Sequence, residues 1–155
     1  MPAFKASRLV AVPPDVAYAV AADVASYKTF LPLLERSTIR GAVTEIDGIK
    51  SFSAELAVGY AKLGLQEAFV SRVACDSVKR TVAATSQDGP FKDMRTVWSI
   101  RDVGGRSDVL IAIDYSMRNM LIQFAVSSAM DMAVQKVMTA FEARAKSIYN
   151  VSKTS

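Results

Sequence analysis

Residues 119 to 149 contain neither Gly nor Pro, and this uninterrupted stretch limits the fold more than any other feature of the chain. Leu121, Phe124, Ala125, Ser128, Met132, Val137, Met138, Phe141, Ala145 and Ile148 follow helical spacing across it, and Asn119 is placed to cap its start. A helix of that length extends about 45 Å at 1.5 Å per residue. One apolar stripe that long needs an equally extended apolar surface to cover.

The preceding residues supply such a surface. From Glu35 to Met117 the punctuation is that of successive hairpins: "DG" at 47–48, "AKLG" ending at Gly64, "CDSVK" around Asp76, "DGP" at 88–90 and "GG" at 104–105. The runs between them alternate. Phe52, Ala54, Leu56, Val58 and Tyr60 oppose Ser53, Glu55, Ala57 and Gly59, while Val109, Ile111, Ile113, Tyr115 and Met117 oppose Asp108, Leu110, Ala112, Asp114 and Ser116. "FKASRLVAV" at 4–12 adds a first strand, stopped by Pro13 and Pro14. Asp15 is placed to cap a short helix over about 16–24, with Val16, Val20 and Val24 on one face. Residues 26–33 form a turn or helix fragment carrying Tyr27, Phe30 and Leu31. The order strand, short helix, six strands, long helix predicts an α+β helix-grip fold. In it, about seven antiparallel strands curve around the terminal helix and leave a tunnel between them.

At 155 residues and 51% hydrophobic content, the chain is expected to form a single domain over 1–150 with a frayed tail at 151–155. The start "MPAFKASRLV" shows no signal or transit pattern, and the apolar run from Met120 to Val134 is too short and too polar to span a bilayer. The expected location is the cytoplasm. Cys75 is the single cysteine, which excludes an internal disulfide and a cysteine-cluster metal site, and it reads as an inert buried residue. The chain has no His, so any catalysis would rest on carboxylates, Tyr or Lys. Nineteen basic against fifteen acidic residues give +4, compatible with an anionic membrane or RNA. Arg36, Arg40, Lys79, Arg80, Arg101 and Arg106 are scattered without interleaved aromatics, and nothing points to DNA. Alternation places the in-strand carboxylates Glu55, Glu67 and Asp114 mainly on the wet face.

Three stretches carry a resemblance: "VPPDVAYAVAADVASYKTFLP" (12–32), "ELAVGYAKLGLQEAFVSRV" (55–73) and "DGPFKDMRTVW" (88–98). Together they resemble the signature segments of the coenzyme-Q-binding START-like family, within the polyketide cyclase/START superfamily. Bacterial members are also labelled ribosome-association toxins of the RatA type. The likeness covers residues 3–149 in order, departing at Lys28, where the family often has Pro, and at Leu33 and Leu34, where Trp and Cys are frequent. It implies a noncatalytic protein that binds and delivers a polyprenyl quinone such as ubiquinone in a hydrophobic tunnel, supporting respiration or quinone biosynthesis, with no catalytic cofactor or metal. A protein of that kind works at the periphery of the inner membrane. Two other function classes stand beside it: a RatA-like regulator contacting the ribosome, and a cyclase-like enzyme on the same fold.

On this reading the tunnel is expected to be bounded by Leu56, Val58, Tyr60, Phe69, Met94, Trp98, Ile111, Ile113 and Met117 from the sheet and by Phe124, Met132 and Met138 from the helix. Tyr60 or Tyr115 is expected to offer a hydroxyl to the quinone oxygens. Five of the seven Met residues lie at 117, 120, 130, 132 and 138, where a flexible thioether suits either a plastic core or a surface repacking around an isoprenoid. Trp98 fits a core filler or the tunnel's base. Phe91, just after a Gly-Pro turn, fits its lip. The resemblance puts the entrance near Tyr27, Lys28, Phe30, Leu31 and Leu33, whose apolar groups and cation suit transient contact with an anionic membrane surface. The strand holding Phe69 permits either face inward.

Overall fold

The computed structural model describes residues 2–60 and 65–154. Strand β1 (Ala3–Val10) leads to helix α1 (Pro14–Ala22), a 3-10 turn (Val24–Ser26) and the single-turn helix α2 (Tyr27–Phe30). Six strands follow: β2 (Leu34–Ile46), β3 (Ile49–Tyr60), β4 (Leu65–Asp76), β5 (Thr81–Ser86), β6 (Phe91–Val103) and β7 (Arg106–Met117), and helix α3 (Met120–Thr154) closes the chain. The strands form one antiparallel sheet in the order β1-β7-β6-β5-β4-β3-β2, a meander whose first strand pairs with the last. This is the helix-grip architecture expected from the sequence.

The hairpins follow from local chemistry. Asp47 and Gly48 have φ of 54° and 80°, and Gly104 and Gly105 have 61° and 86°, so both two-residue turns put consecutive residues in the left-handed region that suits the twist of paired strands. The expected "AKLG" turn lies outside the described residues. Helix α1 begins at Pro14 after Pro13 as N-cap, with no side-chain cap. Asp15 therefore does not cap it. Pro suits the first helical position because its missing N–H has no helical partner there, and the Asp15 carboxylate instead pairs with Arg80 Nε at 2.9 Å. Asn119 does cap α3: its Oδ1 accepts from the Leu121 and Ile122 amides at 2.9 and 3.3 Å. The helix then continues to Thr154, past the residue 149 at which the sequence placed its end.

Helix α3 is pinned to the sheet by an arginine that points inward from the edge strand. Arg8 donates to Thr139 Oγ1 at 2.9 Å and to Gln135 Oε1 at 3.3 Å, and lies 3.6 Å from the Glu142 carboxylate. Beneath it Val10, Val12, Val109, Met138, Phe141 and Ala145 are fully buried, and Trp98 stacks on Phe141 with ring centroids 4.7 Å apart. Burying such side chains contributes about 1.5–3 kcal/mol each. The C-terminal half of α3, together with α1, is thus sealed onto one end of the sheet, and this anchorage leaves the other end free to differ.

Candidate functional site: an apolar cavity between sheet and helix

Toward the other end the sheet and α3 are packed less completely, and a cavity of about 300 Å³ lies between them. That volume is at the lower end of the range typical of small-molecule sites. Its walls come from every layer. Leu34, Leu56, Val58, Phe69, Val73, Val82, Ala84, Met94, Trp98, Ile113 and Met117 line it from the sheet, Val24, Tyr27, Leu31, Pro32 and Leu33 from the α1–β2 connection, and Val126, Ala129, Met130, Ala133, Val134 and Val137 from α3.

Two local irregularities shape the mouth. Between Phe91 and Asp93 the β6–β7 register slips, so Phe91 faces Met117 while Met94 faces Tyr115. Strict alternation back from Trp98 would turn Lys92 inward and Phe91 outward; the bulge reverses this, and Phe91 lines the cavity with its ring edge-on to Phe69 at 4.9 Å. Gly89 makes the approach feasible: its φ is +60°, and a Cβ there would lie 2.6 Å from the Ala68 carbonyl oxygen. On the opposite rim Leu33 has φ +71°, a conformation costly for a leucine, and its carbonyl accepts from the Gly59 amide at 2.8 Å.

Few polar groups reach this space. The Tyr27 hydroxyl donates to the Ala21 carbonyl, and the Tyr115 hydroxyl shares a 2.7 Å hydrogen bond with Ser127. Burial raises the pKa of both phenols, and for Tyr115 the bond to Ser127 partly offsets it. Thr96 donates to the Met94 sulfur at 3.2 Å. Among the described residues Glu67 is the one carboxylate on the wall. Phe69 is buried and inward-facing, which fixes the register of β4, and two residues earlier Glu67 therefore points the same way. That corrects its wet-face assignment. Glu55, by contrast, lies on the outer face with Arg36 at 3.6 Å and Arg40.

Of the residues expected to bound the tunnel, Leu56, Val58, Phe69, Phe91, Met94, Trp98, Ile113, Tyr115 and Met117 line the cavity. Four do not. Ile111 and Met138 are buried at 3% and 1% exposure in the solid core. Phe124 and Met132 face solvent at 76% and 63%, because α3 turns its small residues Ala129 and Ala133 inward here. The Tyr60 side chain is outside the described residues. At the expected entrance, Tyr27, Leu31 and Leu33 line the cavity, whereas Lys28 is exposed beside it and Phe30 packs under Arg144, whose guanidinium carbon sits 5.4 Å from the ring.

Cavity, curved sheet and helix match what comparison finds. Residues 10–142 match the model of the family described as polyketide cyclase / dehydrase and lipid transport. The chain belongs to that family. Among its relatives it is 32% identical over 140 residues to the mitochondrial coenzyme Q-binding protein coq10 of Schizosaccharomyces pombe, covering 85% of this chain and 82% of the relative. It is 26% identical over 153 residues to the ribosome association toxin RatA of Escherichia coli K12, covering 97% and 90%. The fold is also that of the Zhui aromatase/cyclase from Streptomyces sp. R1128, with a TM-score of 0.80 at 19% identity over 94% of this chain and 93% of that one. The chain thus shares its fold with a protein named as an enzyme and has sequence relatives named as a coenzyme Q binder and as a toxin, and coenzyme Q binding is supported within the family. Among the described residues no helix is long and apolar enough to cross a membrane.

Proposed function

We propose that the protein binds a polyprenyl quinone noncatalytically in the apolar cavity and delivers it at the membrane, in support of respiration or quinone biosynthesis. The single observation that carries this reading is the wall itself, apolar around nearly its whole circumference, with Ala129 and Ala133 among the residues α3 presents to it. An isoprenoid tail gains from leaving water in proportion to its area, at roughly 25 cal/mol per Å², and needs no directed hydrogen bonds. The coenzyme Q-binding name of the 32% identical relative supports the same ligand class. A cyclase-like reading has less to work with: the chain has no His, and the wall offers as ionisable groups Glu67 and the two hydrogen-bonded phenols.

Membrane contact fits the exposed apolar residues beside the mouth better than the α2 loop. From Met120 to Met130 α3 carries no charge, so one side lines the cavity while Met120, Leu121 and Phe124 stand 65%, 83% and 76% exposed on the other. Exposed Lys92 and Arg118 directly follow the cavity-lining Phe91 and Met117 in the chain. Apolar groups beside cations are the composition of an interfacial contact with an anionic leaflet. Organic extraction of the purified protein with mass spectrometry tests the reading. A co-purifying polyprenyl quinone is expected; an empty protein that instead co-sediments with ribosomes would shift the account to the RatA-like alternative.

A further inference from the structure

A second, more polar recess adjoins the apolar cavity. Glu67, Pro90 and Met117 belong to both, and the recess continues over Arg118, Asn119 and Ile122. Arg118 is held in place: its Nε donates to the Gly89 carbonyl at 3.1 Å, one terminal nitrogen to the Gln87 carbonyl at 2.9 Å, and its own amide to the Pro90 carbonyl at 2.9 Å. Among the described residues the Glu67 carboxylate has no hydrogen-bond or ion-pair partner, Arg118 included. An amphipathic ligand whose tail fills the apolar cavity places its ring here, at the junction of the two spaces.

From this arrangement we infer that the recess is a headgroup site and that Glu67 makes it selective for a hydroxylated ring, the reduced quinol, over the oxidised quinone. The inference rests on the carrier reading. A carboxylate only accepts hydrogen bonds, and a quinol hydroxyl donates one to it, while the ring's other oxygens accept from Arg118. A quinone carries acceptors alone. Bound in the same pose it sets a carbonyl oxygen against the Glu67 carboxylate, leaving that carboxylate unpaired beside apolar walls. Arg118 serves both forms; Glu67 serves one.

Anaerobic calorimetric titration with a short-tailed ubiquinone analogue, oxidised in one series and chemically reduced in the other, tests this on wild type and on Glu67→Gln. A charge-assisted hydrogen bond gained against one left unmade predicts that wild type binds the reduced form about tenfold or more tightly than the oxidised form. Glu67→Gln, whose amide offers both donor and acceptor, is expected to bring the two affinities within about threefold. Wild type binding both forms equally, or the quinone more tightly, overturns the inference and leaves the carrier reading standing. A preference that survives in Glu67→Gln, shown folded by its melting temperature, removes Glu67 from the role. Binding of neither form defeats the carrier reading and this inference together.

Discussion

The two ends of the sheet share one alternating apolar face yet are finished in different ways. At the closed end Trp98 stacks on Phe141, and Val10, Val109, Met138 and Ala145 are buried around them with α1 and the C-terminal half of α3 laid on top. At the open end Phe69, Met94, Tyr115 and Met117 form a separate small cluster, touched by half-buried Phe91, Ile122, Val126 and Met130. The closed end is packed as interiors ordinarily are. The open end withholds side-chain volume from α3 and so keeps a cavity. Stability is concentrated in one half, which allows the other to remain incompletely filled.

If that division holds, truncation should separate the ends. Phe141→Ala removes a ring buried to 1% exposure and is expected to cost about 3–5 kcal/mol, whereas Phe91→Ala, half-buried at the lip, should cost about 1 kcal/mol. Urea denaturation reads both, and comparable losses would erase the distinction.

High pH should act through the closed end as well. Burial pushes the Cys75 thiol up to about 11, with Lys50 opposing, and also raises the phenol of Tyr27, which lies on the cavity wall. The native state thus holds these protons after the unfolded chain has released them. The contribution is complete below the unfolded thiol pKa and is lost as pH rises through the window from about 9 toward about 11. For the thiol alone the loss is about 2–3 kcal/mol. Denaturation midpoints between pH 8 and 11 should fall accordingly, and Cys75→Ala should flatten part of that slope. An unchanged slope would mean that the thiol is not what loses stability there.

A smaller thermodynamic effect is expected at the outer face of α3. Leu121→Ser combined with Phe124→Ser changes solvent-facing groups and should leave stability within about 0.5 kcal/mol of wild type. Co-sedimentation with vesicles containing anionic lipid should nevertheless fall severalfold. Unaltered co-sedimentation would move the membrane contact elsewhere, the α2 rim being the next place to probe.

The architecture was legible in the sequence because each of its determinants is local: alternation of period two, paired glycines or Asp-Gly at the hairpins, and a helix free of breakers. The cavity's sheet wall was legible for the same reason, since Leu56, Val58, Met94 and Ile113 keep strict alternation. Its helix wall was not. Large residues are the usual marker of a buried face, and on α3 they selected Leu121, Phe124 and Met132, whereas a cavity is made where the inward residues are small, here Ala129 and Ala133. Phe91 is legible from its Gly-Pro turn and not from alternation, which the register slip at 91–93 breaks, whereas Glu67 depends on the choice of face for β4, which the alternation of a single strand does not hold. The resemblance puts Phe30 and Lys28 at the entrance, but it carries no sight of Arg144, which arrives from the far end of the chain to cover the Phe30 ring.

Trp98, the sole tryptophan, forms part of the cavity wall and reports on its contents. Titrating a short-tailed ubiquinone analogue against Trp98 fluorescence, in wild type and in Ala133→Leu, tests the central claim that this cavity is the binding site. The account predicts saturable quenching in wild type and an affinity at least about tenfold weaker in Ala133→Leu, whose added side chain occupies the space the tail needs, with stability changed by no more than about 1.5 kcal/mol. Equal affinity in the two folded proteins, or no saturable quenching in wild type, would contradict it.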